Sequence, residues 1–559
     1  MCGACRKQVA GPPPRYAVLR FENLSGDPSL EWTARATSEI LSRSLAGVMS
    51  GPVLHSAALA RAAATLGSES SAAPGISSDP GEARLAGATR VITGYIQKVG
   101  NGIRIEASER DLTTQKTVRS VAAEDSTSLG AITAIAKQLS SNAQRYVTSD
   151  ANAVRFYATG LESAGADAEL EQAVAADPNF GPAWAALATR QLAHGDRDAA
   201  KQTIARSSRY HLDDYDQATI DAANASLNND RHARVEALRR ISALSPGDTV
   251  LLRTVAQSEI DVGEFADAAS DWNKLAAVLP NDANAWNLLG YARAYTGDYQ
   301  GALNAIREYQ RLDPKGANPL DSIGDVHFLF RKFQEAAASY LAANAKNPEF
   351  MNHGELYKAA WAKYYAGDKS GAESLFGRFR FARDKAHDST VRLFVADWLY
   401  RTGRSADAIA LLRAETQNGS AAKPLVYSQL AIWDLLAGDR PAAARDAASA
   451  GTPQSLPLLL ARFCALPPAS AQQWRERAEK MIQGNGAGNL RLLALGYALV
   501  LDDKSAEAIP VWEQIVDKSP GTDFFLRAVL SRLQDQSVKQ PIVPSPAEMN
   551  EFAAVLDRL

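Results

Sequence analysis

Cysteine is the scarcest informative residue: the 559-residue chain has three, Cys2, Cys5 and Cys464. Three thiols exclude a disulfide scaffold and fall one ligand short of an all-cysteine zinc site. The seven histidines are scattered, with no H-E-x-x-H and no pair at metal-ligand spacing. No window of 18 or more residues is continuously apolar, so no transmembrane helix is predicted. Neither sign of charge is in excess: 60 Lys and Arg against 63 Asp and Glu leave a net charge of −3. The basic stripe of a nucleic-acid binder is therefore missing, and a nucleic-acid partner is not expected. Catalytic signatures are absent too, with no G-x-S-x-G elbow and no kinase set. Asp213 with Asp214, and Asp502 with Asp503, read as turn residues without a shared apolar pocket to tune them. Cys464 reads as a buried thiol. The expectation is a chain that is not an enzyme and needs no cofactor or metal.

What the chain does have is a period. Prolines stand at Pro178, Pro246, Pro280, Pro314 and Pro348, each gap being 34 residues or twice that. Self-similarity at such a period is the signature of stacked repeats. Residues 281–314, NDANAWNLLGYARAYTGDYQGALNAIREYQRLDP, read as two short helices closed by a proline. The small residues Gly290 and Ala302 let the two helices approach closely. Trp286, Leu289, Tyr299 and Ile306 fill the space between the pair and its neighbour. Gly297 supplies a turn conformation costly to other residues, and Pro314 ends the unit. The turn recurs at positions 195, 229, 263, 297, 331, 367, 403, 438 and 502, and in most units a small residue follows five positions on, as in Ala200, Ala268, Ala302 and Ala336.

This order of large, small and turn residues resembles the tetratricopeptide repeat (TPR), over residues 148–540 and about ten units, including a weaker one between 451 and 488. The resemblance implies a right-handed all-α superhelix whose concave groove is lined by the second, fifth, ninth and twelfth positions of each unit. Carried onto this chain, those positions give Arg253 and Gln257, then Asn284, Asn287 and Tyr291, then Asp321 and Asp325. Asparagine amides, which both donate and accept, suit a peptide backbone. The Trp and Tyr residues at repeat spacing (Trp184, Trp286, Tyr299) fall on packing positions and read as core. The groove lacks the Lys and Arg cluster that would grip an acidic peptide terminus.

Residues 16–147 read as a small α/β domain. A strand at 16–21 ends in the turn cluster Glu22 to Pro28. Helices follow at 30–48 and 57–66, with a short strand at 52–55 between them and a flexible loop at 67–81. Two alternating strands joined by Gly100-Asn101-Gly102, then a third at 117–122, predict an antiparallel sheet closed by a helix over 132–147. The run Val18 to Pro28, with GATRVITGYI at 87–96 and the pattern at 104–111, resembles the bacterial TolB amino-terminal-like domain. Arg20, where that family commonly has proline, and the Ser-rich insert at 67–81 depart from it. The resemblance implies an interaction domain without an active site. Asn23, Ser25 and Asp27 are read as a structural turn; Asp27 would repel an anion at the following helix start.

Residues 1–15 read as a disordered tail, with a remnant of a lipoprotein signal as the alternative, since Cys2 or Gly3-Ala4-Cys5 resembles the end of a cleavage box. The C-x-x-C lacks the preceding strand of a thioredoxin motif. The chain as written reads as cytoplasmic, and as a periplasmic lipoprotein if an upstream signal was lost. Residues 541–559 read as a proline-broken linker and a capping helix. The whole is an α+β multidomain chain: a small α/β domain, then a helical-repeat superhelix. Its expected role is a scaffold binding a protein or extended peptide in the groove. The alternative is a regulatory or sensory component of a bacterial signalling system whose kinase, cyclase or DNA-binding effector lies on a separate chain.

Overall fold

A computed structural model of the chain describes residues 13–66, 79–162, 167–228, 230–417, 423–437, 439–450, 504 and 506–511. The unit expected at 451–488, the turn at 502–503, the cap at 541–559 and all three cysteines lie outside the described residues. The chain divides into two compact units, residues 1–258 with 277–279, and residues 259–276 with 280–559. No helix among the described residues is long and apolar enough to cross a membrane.

The first unit begins with a five-stranded sheet of order β1-β3-β4-β5: β1 (Tyr16–Val18), β3 (Arg90–Val99), β4 (Gly102–Asp111) and β5 (Thr117–Asp125), with β2 (Glu22–Asn23) also pairing β3. Strands β3, β4 and β5 form the expected antiparallel meander. β1 and β2, however, join β3 in parallel, so the sheet is mixed. The long crossover through α1 (Glu31–Ser44), α2 (Ser56–Leu66) and α3 (Asp79–Leu85) gives the chain the length that parallel pairing requires. The strand expected at 52–55 reduces to a single bridge between Tyr16 and Val53, and α3 takes up the end of the expected loop. The closing helix α4 (Ser128–Leu139) starts and stops earlier than its periodicity predicts. Thr127 caps it by accepting from the Gly130 N–H, and Ser140 is already extended. The turn at 22–28 is tied by its own side chains: Asn23 Oδ1 accepts from the Ser25 N–H, and Asp27 Oδ1 from the Ser29 N–H.

Nine helix pairs follow among the described residues. In the first unit these are α5 (Ala151–Glu162) with α6 (Asp167–Ala176), α7 (Gly181–Ala193) with α8 (Arg197–Ser207), and α9 (Asp214–Leu227) with α10 (Arg231–Leu244). Next come α11 (Thr249–Val262) and α12 (Phe265–Val278). The second unit carries α13 (Ala283–Tyr295) with α14 (Tyr299–Leu312), α15 (Asn318–Leu329) with α16 (Phe333–Lys346), and α17 (Gly354–Tyr365) with α18 (Lys369–Lys385). Its remaining described pairs are α19 (Val391–Arg401) with α20 (Ser405–Gln417), and α21 (Lys423–Ala437) with α22 (Arg440–Ser449). A Gly-Asp dipeptide explains how three of the pairs turn. Gly195, Gly297 and Gly367 take φ of +82°, +87° and +89°, and the following Asp196, Asp298 and Asp368 cap the second helix by accepting a backbone N–H three residues on. The terminal proline also has a partner: Trp184 and Trp286 donate their indole N–H to the carbonyls of Pro178 and Pro280, at 2.9 and 3.0 Å. The spacing of 34 breaks before α17, where Met351, Asn352 and His353 all take positive φ and lengthen the connection.

In the first unit the sheet domain and the first helix pairs share packing. Val154 and Ala158 of α5 belong to the core of the sheet domain, whereas Ala153 and Tyr157 of the same helix pack with Leu170, Phe180 and Trp184. Arg43 of α1 reaches the start of α9, where its guanidinium binds both Asp216 oxygens at 2.5 and 3.1 Å and Asp213 at 2.6 Å. Burial pushes the Asp216 carboxyl up to about 7 even though Arg43 opposes the shift. The His55 ring stacks on Tyr215 with centroids 3.9 Å apart. Burial, followed by the charges of Arg43 and Arg61, holds that imidazole neutral. Arg61 pairs with the fully buried Asp248, and Thr249 donates its N–H to the Ala86 carbonyl at 3.2 Å.

Two predictions test this packing. Arg43→Ala leaves Asp216 buried and unpaired and is expected to cost roughly 3–5 kcal/mol in urea unfolding; Arg43→Lys restores only part, because a point charge cannot hold both oxygens. Close helix approach gives the second. A Cβ on Gly290 would lie 2.3 Å from Ile306 Cδ1, and one on Gly324 2.5 Å from the Tyr340 ring, whereas Gly377 in α18 has open space. Gly290→Ala and Gly324→Ala are expected to lose roughly 1–3 kcal/mol, and Gly377→Ala to gain roughly 0.5–1 kcal/mol. An equal effect at all three would contradict the assignment.

Candidate peptide-binding groove

The expected lining residues fall in both units. In the first, Arg253 and Gln257 lie on α11, half-buried and each already engaged in an interaction. One repeat upstream the lining register places Asp216, which Arg43 of the sheet domain occupies. At α9, then, a lining position is filled from within the chain.

In the second unit α13, α15 and α17 carry a connected polar strip. The Tyr291 hydroxyl donates to Asp325 Oδ2 at 2.8 Å, and the Tyr340 hydroxyl donates to Asp325 Oδ1 at the same distance. Lys358 Nζ donates to Asp321 Oδ1 at 2.5 Å and to Asp325 Oδ1 at 3.0 Å. It also lies 5.3 Å from the centre of the Tyr340 ring. Three of the expected residues, Tyr291, Asp321 and Asp325, are thus brought together. Asn287 stands one turn before Tyr291, half-buried, its Oδ1 out of contact with solvent and without a hydrogen-bond partner. Asn284 is exposed at the start of α13 and is not joined to the strip.

Tyr340, Lys358 and Glu355 are members that the sequence reading missed. Tyr340 comes from the second helix of its pair, outside any lining register. Lys358 and Glu355 sit on α17, after the lengthened connection that breaks the period of 34, and neither falls on a lining position counted from the α17 turn. Glu355 does stand 34 residues after Asp321, and a lysine one repeat beyond two acids was the other available signal.

The electrostatics of the strip follow from burial. Glu355 is fully buried and no nitrogen or hydroxyl donor reaches either carboxyl oxygen. Burial, then the charge of Asp321, pushes its carboxyl up to about 8, with Lys358 opposing. Burial and Asp325 raise Asp321 as well. Burial acts against the Lys358 ammonium, but Asp325 and Asp321 outweigh it and raise its pKa. The result is a lysine that stays charged at neutral pH and a Glu355 carboxyl that holds its proton. A raised carboxyl pKa means that the folded chain binds more protons than the unfolded one between about 4.5 and about 8. The contribution is complete on the acid side and is lost as pH rises through about 8. Glu355→Gln is therefore expected to melt higher than the native chain at pH 9 by a few degrees, with the gap closing at pH 5. A gap independent of pH would contradict the buried proton.

No protein-family model matches the chain, and no curated protein matches it. Solved structures that resemble it include MamA from Desulfovibrio magneticus, at 14% identity over 32% of this chain and 98% of that one, with a TM-score of 0.27. A tetratricopeptide repeat protein from Parabacteroides merdae is similar at 14% identity over 45% of this chain and 99% of that one, TM-score 0.33. The Naa15/Naa10 complex bound to HypK-THB gives 13% identity over 69% and 66%, TM-score 0.34. The helix pairs described above follow from the register of turn, small and large residues and not from these likenesses.

Proposed function

We propose that the chain is a non-enzymatic scaffold that holds an extended peptide or protein partner against the first helices α13, α15 and α17. The observation that carries this reading is the strip itself. Polar side chains of successive first helices are tied laterally from Tyr291 through Asp325 to Lys358, while the apolar positions of the same helices are spent on packing. A polar strip on such a packed frame offers fixed hydrogen-bonding groups, and Asn287 Oδ1 remains to be satisfied.

The hydrogen-bonded turn at Asn23, Ser25 and Asp27 favours a second reading, because it lies in the stretch resembling the TolB amino-terminal-like domain. On that reading the chain is a regulatory component whose effector is a separate polypeptide. One capture experiment addresses both. The full chain used as bait is expected to retain a partner that the double variant Asn287→Ala, Tyr291→Phe binds at least about tenfold more weakly while still folded at the assay temperature. Undiminished binding by that variant would contradict the groove; recovery of a kinase, cyclase or DNA-binding protein would favour the second reading.

A further inference from the structure

We infer that Asp321, Asp325 and Glu355 form a subsite for a basic side chain of the bound peptide, an arginine above all, and that Lys358 holds its place while the groove is empty. The inference rests on the groove reading and names the chemistry of its occupant.

Three carboxyl groups share one neighbouring ammonium. Lys358 satisfies Asp321 and Asp325, whereas no nitrogen or hydroxyl donor reaches either oxygen of Glu355, fully buried on the same helix. Its retained proton bridges to the facing Asp321 carboxyl, which leaves the other Glu355 oxygen a buried acceptor without a donor. On α13 the unsatisfied atom is again an acceptor, Asn287 Oδ1. A buried acceptor without a partner costs roughly 1–3 kcal/mol, so what the strip lacks is a donor. An anionic ligand would meet carboxylates. Among the described residues no group of three His, Cys, Asp or Glu is placed to hold a metal ion. An N–H donor carrying positive charge fits both the charge and the hydrogen-bond deficit.

Arginine fits better than lysine for two reasons. Its five N–H groups in a rigid fork can engage several carboxyl oxygens at once, where an ammonium is a single point charge. Tyr340 also presents a ring face at the position where Lys358 Nζ now stands, 5.3 Å from the centroid, and a guanidinium stacks there. Lys358 can withdraw: its side chain is 31% exposed and its four-carbon stem is flexible, so the ammonium can move to solvent as the guanidinium enters.

Chemical rescue tests the inference. Lys358→Met strips the three carboxyls of their cation, and the full-length variant is expected to melt lower than the native chain. Argininamide should restore the midpoint in a dose-dependent way, while norleucinamide and sodium chloride at equal ionic strength should not. Adding Asp325→Asn to Lys358→Met should weaken the argininamide effect at least about tenfold in apparent Kd. If Lys358→Met does not fold, the native chain is titrated instead: argininamide should raise its midpoint above the norleucinamide control, and Asp325→Asn should abolish that rise. Rescue by salt alone, or no argininamide-specific effect in any variant, overturns the subsite. Should that happen while the Asn287 and Tyr291 changes still weaken partner capture, the groove reading stands and only its basic occupant is lost.

Discussion

The contact between Gly324 and Tyr340 joins the packing of this protein to its surface chemistry. A side chain on Gly324 would occupy the space of the Tyr340 ring. Its absence lets α16 lie close enough to α15 for the Tyr340 hydroxyl to reach Asp325 on the lining face. The same closeness at Gly290 and Ile306 sets α13 against α14. Each pair still leaves an apolar face that only the next pair covers, so the pairs are stable as neighbours and not singly. Tight pairing within a repeat and coverage between repeats together fix the lining side chains on rigid helices, which is what a binding surface needs if its polar groups are to stay in place.

The first unit meets the same constraint in another way. The leading helix α5 has no preceding helix pair to cover it, and the sheet domain takes that role, with Val154 and Ala158 entering its core. Arg43, His55 and Arg61 then extend the contact to the starts of α9 and α11. Burying these charges is tolerable because each guanidinium meets a carboxylate and Arg43 holds Asp216 in a two-point fork. The sheet domain thus acts as the cap that a helical array requires at its end, and it fills the lining position at Asp216 in doing so.

Legibility in the sequence followed periodicity. Trp286, Gly290, Gly297 and Ala302 could be placed because each repeats a physical job at a fixed interval, and the structure puts them on packing and turn positions. The strands at 90–99 and 102–111 were legible for the same reason, through alternation and a glycine hairpin. What was not legible came from contacts distant in sequence or from breaks in period. Nothing local marks Asp213, read with Asp214 as a turn acid, or Asp216, which the reading passed over, as partners of Arg43 some 170 residues earlier. The parallel pairing of β1 depends on a crossover path, and the α4 boundaries depend on Thr127, not on apolar spacing. Of the site, Tyr291, Asp321 and Asp325 followed from the register; Glu355 stands 34 residues after Asp321 but off the register counted from the α17 turn, and Lys358 fits neither count beyond the left-handed run at Met351 to His353.

The central claim is that a partner is held on the first helices of the second unit, along the strip from Asn287 to Lys358. Amide hydrogen exchange on the full chain, with and without its captured partner, tests it most directly. The account predicts added protection concentrated in α13, α15 and α17, with α14, α16 and α18 little changed. Protection confined to the sheet domain, or to the second helices of the pairs, would contradict it.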